Sequence, residues 1–267
     1  MTSTRTAFAK ARAENRAALV GYLPAGFPDV DGSIAALKAM VDAGCDVIEI
    51  GLPYSDPVMD GPTIQAPAQQ ALEAGVRTTD VLRTVEAVAA TGVPTLVMTY
   101  WNPIERYGVD RFARDLAAAG GAGLITPDLT PDADPHWPAA ADAHGLDKVY
   151  LVAPSSTDER IAMTAHESRG FVYAAAVMGV TGARDATSDL AGPLVGRVRA
   201  AGDVPVAVGI GVSNGDQAAE VAAFADGVIV GSAFVRCLLD HEGDEAAGLE
   251  ALRSLTADLA EGVRRAR

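Results

Sequence analysis

Short apolar runs rich in β-branched residues alternate with longer alanine-rich stretches of helical period along the whole chain, with no low-complexity linker between them. The runs are Ala18 to Leu23, Val47 to Gly51, Thr95 to Thr99, Gly123 to Thr126, Lys148 to Ala153, Phe171 to Ala176, Val204 to Val208 and Gly227 to Val230. Near-continuous apolarity suits strands covered on both faces, and strands separated by helices run parallel. Helical stretches follow at Ser33 to Ala43, Thr79 to Ala90, Val109 to Ala119, Ala133 to Ala143, Asp158 to His166, Ala191 to Ala201 and Asp216 to Ala223, one after each strand. Ala233 to Leu239 and Glu245 to Arg265 close the series, and Thr6 to Asn15 reads as a helix before the first strand. Eight such units in about 250 residues predict a (β/α)8 TIM barrel with an extra N-terminal helix, one domain over residues 1–267.

A barrel of this kind builds its site at the C-terminal ends of its strands, so the residues after each run carry the chemistry. The second run contains Glu49 between Ile48 and Ile50, where an unpaired carboxylate is costly and burial raises its pKa. Asp60 follows in a loop punctuated by Pro57, Gly61 and Pro62, which would hold a second acid over the same mouth in a more polar setting. Two such carboxyls can divide donor and acceptor roles; a structural ion pair for Glu49 and a turn or cap for Asp60 are the alternatives. Strand three leads into Tyr100, Trp101 and Asn102, and strand four into Pro127 and Asp128. Val177 to Ala191 is long for a strand-to-helix link and reads as a lid, with Gly179 and Gly182 as hinges and Thr181 offering a hydroxyl. After strands seven and eight, Gly209, Gly211 and Gly231 would bring backbone N–H groups close to an anion, with Ser232 and helix N-termini beside them. That is the barrel's phosphate position, and it needs no lysine.

Composition narrows the partners. The chain carries 35 acidic and 21 basic residues, a net charge of −14, which argues against nucleic acid or an anionic membrane. Cys45 and Cys237 read as free thiols rather than a disulfide, which suits the cytoplasm. No segment has the apolar length of a membrane span and the N-terminus lacks a signal-peptide core. The four histidines are dispersed and have no Cys or acid at ligand spacing, so no metal site is expected.

With these residues in hand, the chain resembles the tryptophan synthase alpha subunit family over essentially its whole length. EIGLPYSDPVMDGPTIQ resembles that family's acid-pair signature, and MTYWNPIERYG, GLITPDL, GVTGAR, VGIGVS and VGSAF follow in the family's order. The resemblance implies an indole-3-glycerol-phosphate lyase that forms indole and glyceraldehyde 3-phosphate by a retro-aldol reaction. It implies no cofactor in this chain, and a beta subunit partner carrying pyridoxal phosphate in an alpha2beta2 heterotetramer. It makes Glu49 the general acid/base and Asp60 the acceptor of the indole N–H. Tyr22, Ile125, Leu151 and Tyr173 become the indole pocket, Gly182, Gly211, Gly231 and Ser232 the phosphate cup, and Thr181 the lid residue that reaches toward Asp60.

The chain departs from the family pattern at Pro24 in the first loop, at Met59 beside Asp60 and at Thr130. Pro24 fixes its own φ and removes a donor, so the first loop is where transfer from the family is weakest. Other phosphosugar barrels would share the glycine cup, but Lys38 and Lys148 are not at predicted strand C-termini and no histidine stands on a strand. A binding module that switches a partner without reacting is the rival of another class, and the intact acids argue against it.

Overall fold

A computed structural model describes residues 3–176 and 184–265, apart from the side chains of 184–189. Eight parallel strands pair in chain order and close on themselves: β1 (Ala18–Pro24), β2 (Val47–Gly51), β3 (Thr95–Met98), β4 (Gly123–Thr126), β5 (Asp147–Val152), β6 (Val172–Ala175), β7 (Val206–Gly209) and β8 (Gly227–Val230). Around them run α1 (Thr4–Ala13), α2 (Val30–Ala43), α3 (Pro62–Glu73), α4 (Thr78–Ala89), α5 (Trp101–Tyr107), α6 (Val109–Ala118), α7 (His136–His144), α8 (Asp158–Glu167), α9 (Arg184–Ala201), α10 (Gly215–Ala222), α11 (Ser232–Leu239) and α12 (Glu245–Arg265).

Side chains on a strand alternate between its faces, and the closed sheet turns this alternation into two cores. Val20, Val47, Leu96, Ile125, Val149, Phe171, Ala207 and Ile229 fill the barrel. Their neighbours Leu19, Ile48, Ile50, Val97, Leu124 and Val208 face outward into the layer beneath the helices. Glu49 stands two residues beyond Val47, so the same alternation turns its carboxyl into the barrel.

The lower end of the barrel is plugged by α1. Phe8 packs on Phe171 with ring centroids 5.1 Å apart, and a Cβ at Gly227 would lie 2.8 Å from the Phe8 ring. The plug is tied by buried Asp147, which accepts from the Thr4 N–H at 2.9 Å and from the Thr4 hydroxyl at 2.6 Å. Aspartates before two other strands act alike: Asp46 accepts from Leu19 N–H at 2.9 Å, and Asp226 from Val206 N–H at 3.0 Å. Each satisfies a strand-end donor that has no partner in the ladder.

Besides the α11–α12 pair after β8, the rule of one helix per strand fails at two strands. Two helices, α3 and α4, follow β2, and α5 and α6 follow β3. Both extra helices hide behind proline. Pro62 stands at the start of α3 and Pro103 in the first turn of α5, where the missing N–H costs nothing, while Pro67 sits inside α3. Similarly, α9 begins at Arg184 rather than Ala191, so the long connection after strand six ends earlier than expected. Pro193 and the polar run Asp185 to Asp189 resemble a helix start, yet Pro193 lies in the helix interior.

Candidate active site

The strand ends deliver the expected residues to the upper mouth of the barrel. Tyr22 on β1 is the register partner of Glu49 on β2, and Leu151 on β5 is that of Tyr173 on β6. Ile125 is fully buried within the barrel, with Leu151, Tyr173 and Met98 packed against the same cluster. The four positions assigned to an aromatic pocket therefore share one inner face with Glu49.

Glu49 is completely buried, and among the described residues neither carboxylate oxygen has a hydrogen-bond partner. Desolvation alone pushes its pKa up to about 8, so near neutral pH it holds a proton. Among the described residues it has no ion-pair partner. Asp60 is half-buried at the inner edge of the loop after β2. Burial raises its pKa, and a hydrogen bond with the Tyr100 hydroxyl opposes the rise. Asp60 is thus drier than the mostly exposed loop that carries it. Burial also raises the phenols of Tyr22 and Tyr173, and the charges of both Asp60 and Glu49 add to this. Each tyrosine senses both acids.

The glycines divide by task. Gly211 has φ +78° and open space where a Cβ would stand, and Gly231 immediately precedes α11, with Ser232 as the first residue of that helix. Gly209 does something else. A Cβ there would meet the Tyr173 hydroxyl at 2.6 Å, so this glycine makes room for the aromatic ring. Gly51 does the same for Tyr22. Thr181 and Gly182 lie outside the described residues.

Among the described residues no cluster of His, Cys, Asp and Glu could hold a metal, no helix is long and apolar enough to cross a membrane, and both cysteines are free.

A sequence profile described as tryptophan synthase alpha chain matches residues 8–264. The tryptophan synthase alpha chain of Salinispora arenicola is 65% identical over 264 residues, which cover 99% of this chain and 98% of that one. The chain belongs to the tryptophan synthase alpha chain family. The alpha chain of Nocardia farcinica is 61% identical over 97% of this chain and 95% of its own length. A structure of Mycobacterium tuberculosis tryptophan synthase superposes with a TM-score of 0.92 at 58% identity, covering 99% of both chains. An alpha subunit from Legionella pneumophila, at only 29% identity, still gives 0.90 over 99% of this chain and all of that one. As a tryptophan synthase alpha chain, the protein is a carbon–carbon lyase that cleaves indole-3-glycerol phosphate in tryptophan biosynthesis. Alpha chains of this family carry no cofactor, pyridoxal phosphate belonging to the beta subunit with which the family partners.

The sequence reading gave no role to Tyr100. Its hydroxyl accepts a hydrogen bond from the Met59 N–H at 3.0 Å, across 41 residues of chain and next to Asp60 in sequence. Its place directly after strand three was the available signal.

Proposed function

We propose that Glu49 is the general acid/base of the cleavage and Asp60 the carboxylate that receives the indole N–H. The observation that carries this reading is the Glu49 carboxyl, buried, without a hydrogen-bond partner among the described residues and protonated near neutrality. Protonating indole C3 turns the ring into a leaving group and places positive charge at its nitrogen. A carboxylate at Asp60 stabilises that charge. Glu49, now ionised in a dry site, takes the proton of the neighbouring side-chain hydroxyl. The C3 bond breaks, its electrons restore the indole, and the aldehyde forms. The proton lent is returned, so no net acid is consumed.

Tyr22, Ile125, Leu151 and Tyr173 would enclose the indole, and Gly211, Gly231, Ser232 and the start of α11 would take the phosphate. Gly182 in the cup and Thr181 as the lid hydroxyl rest on the family resemblance. Val58 is 79% exposed and Met59 48% in the loop that carries Asp60. This apolar edge supports docking of a beta subunit there, within an alpha2beta2 heterotetramer in the cytoplasm. The turn is not open throughout, since Pro53 is buried and Tyr54 and Pro57 are half-buried.

The test is cleavage of indole-3-glycerol phosphate by the isolated chain. Glu49→Gln should bind substrate but lose about 10²- to 10⁴-fold in turnover, and Asp60→Asn should lose less. Near-normal turnover in Glu49→Gln would overturn the assignment.

A further inference from the structure

We propose that Gln217 is a positioning residue for the substrate phosphate: its side-chain oxygen holds Ser213, and with it the turn that starts at Gly211, in the shape that meets the anion. This rests on the reading that the loops after β7 and β8 take the phosphate.

The Gln217 Oε1 accepts from the Ser213 N–H at 2.8 Å and from the Ser213 hydroxyl at 3.0 Å. A peptide N–H can only donate, so the amide turns its oxygen and not its nitrogen to the loop. Asn214 is the N-cap of α10, and its side chain accepts from the Gln217 N–H at 2.9 Å. A glutamine three residues into a helix ordinarily returns its side chain to the N–H of the cap residue itself. Gln217 reaches one residue further back, so both of its bonds fall on the connection that follows Gly211 and not on the helix end. Val212 is a second anchor in that connection, 3% exposed and packed into the layer beneath the helices. Gly211 itself is exposed, with φ +78° and open space where a Cβ would stand. The residues after Gly211 are thus held while Gly211 stays open.

The helix that carries Gln217 is held in turn. Asp258 of α12 accepts from the Gly215 N–H at 2.6 Å, and a Cβ at Gly262, one helical turn further along α12, would overlap the Gly215 carbonyl oxygen. The Ala218 N–H returns to the Asn214 carbonyl at 3.0 Å. At the start of α10 the N–H groups of Gly215, Gln217 and Ala218 therefore all have protein partners. They are committed before any anion arrives. What this side of the cup offers a phosphate has to come from the turn before the helix, and backbone donors in a turn bind an anion only as well as the turn is preorganised.

Gln217→Leu keeps much of the side chain's bulk and removes the acceptor. The experiment is calorimetry with glycerol 3-phosphate beside steady-state cleavage of indole-3-glycerol phosphate. In the variant the Kd for glycerol 3-phosphate and the KM should both rise about tenfold with kcat within about twofold, because binding lost equally from substrate and transition state shows in KM alone. Ser213→Ala keeps the N–H bond and loses the hydroxyl one, so it should raise Kd about twofold to threefold, and it should add nothing in the Gln217→Leu background. Additive losses in that cycle would mean that Gln217 does not act through Ser213 and would overturn the proposal. An unchanged Kd in Gln217→Leu with lowered stability to urea would reduce Gln217 to a helix cap and overturn it as well. Should Gln217→Leu fail to fold, Ser213→Ala decides, and an unchanged Kd there refutes the proposal. Gly211→Val measured alongside separates the two claims. Normal glycerol 3-phosphate binding in that variant would remove the phosphate from this loop and this proposal with it. Weakened binding there beside an unchanged Gln217→Leu would refute Gln217 alone.

Discussion

Tyr22 faces Glu49 across the β1–β2 ladder, and its phenol end occupies the space where a side chain at Gly51 would stand. Gly51 lies two residues beyond Glu49 on the same inner face of β2, toward the mouth. The tyrosine therefore leans over the acid on its solvent side. That arrangement explains why Glu49 is dry and, among the described residues, without a hydrogen-bond partner, and why its pKa rises by desolvation.

A buried, protonated carboxyl leaves a mark on stability. The folded pKa of about 8 lies above the ordinary carboxyl value of 4.5, so between these values the native state holds a proton that the unfolded chain has released. Stability from this group is full below about pH 4.5 and is lost as pH rises through about 8. Glu49→Gln cannot ionise and should flatten that slope, so its advantage over the parent grows with pH, reaching on the order of a few kcal/mol by pH 9. Urea unfolding at pH 5, 7 and 9 checks this. Parallel slopes for the two proteins would mean that Glu49 ionises normally.

The two glycines of β7 and its loop should fail differently. Gly209→Ala would push against the Tyr173 hydroxyl, which stands 2.6 Å from the new Cβ, so it should raise KM about tenfold through the indole end of the substrate. Gly211→Val meets no neighbour but forces a β-branched residue to φ +78°, a strain of about 1 to 3 kcal/mol in the loop proposed to hold phosphate. Calorimetry with glycerol 3-phosphate should show weakened binding for Gly211→Val and little change for Gly209→Ala. The opposite ranking would relocate the phosphate site.

The plug at the lower end should affect stability alone. Thr4→Val deletes the 2.6 Å hydroxyl contact to fully buried Asp147 and leaves the 2.9 Å N–H contact in place. The expected cost is about 1 to 3 kcal/mol, with kcat unchanged because the site lies at the other end of the barrel. Chemical denaturation and a turnover assay together test this; equal stability would mean that water replaces the hydroxyl.

The barrel strands were legible because each is an apolar run covered on both faces; β2, β4 and β8 have the residues expected of them. Glu49 was legible for the related reason that a carboxyl between Ile48 and Ile50 contradicts its surroundings. Helices α3 and α5 were not, because Pro62, Pro67 and Pro103 read as loop punctuation when only their position in the first turn, or the packing around them, shows that a helix tolerates them. Gly209 read with Gly211 as part of the phosphate turn after strand seven, since nothing local tells that Tyr173 needs its space. Tyr100 stood out by its place after strand three, but its partner did not: the contact with Met59 spans 41 residues, and no periodicity encodes a partner that distant.

Everything in the proposed chemistry depends on Glu49 holding a proton in the resting protein near neutral pH. The measurement is the protonation of that one carboxyl, followed by carbon-13 NMR of glutamate-labelled protein from pH 4 to 10 with Glu49→Gln to assign the signal. The predicted result is a titration near pH 8, moving downward when Tyr22→Ala admits water. A Glu49 signal that titrates in the ordinary carboxylate range, with the protein folded throughout, would contradict the account.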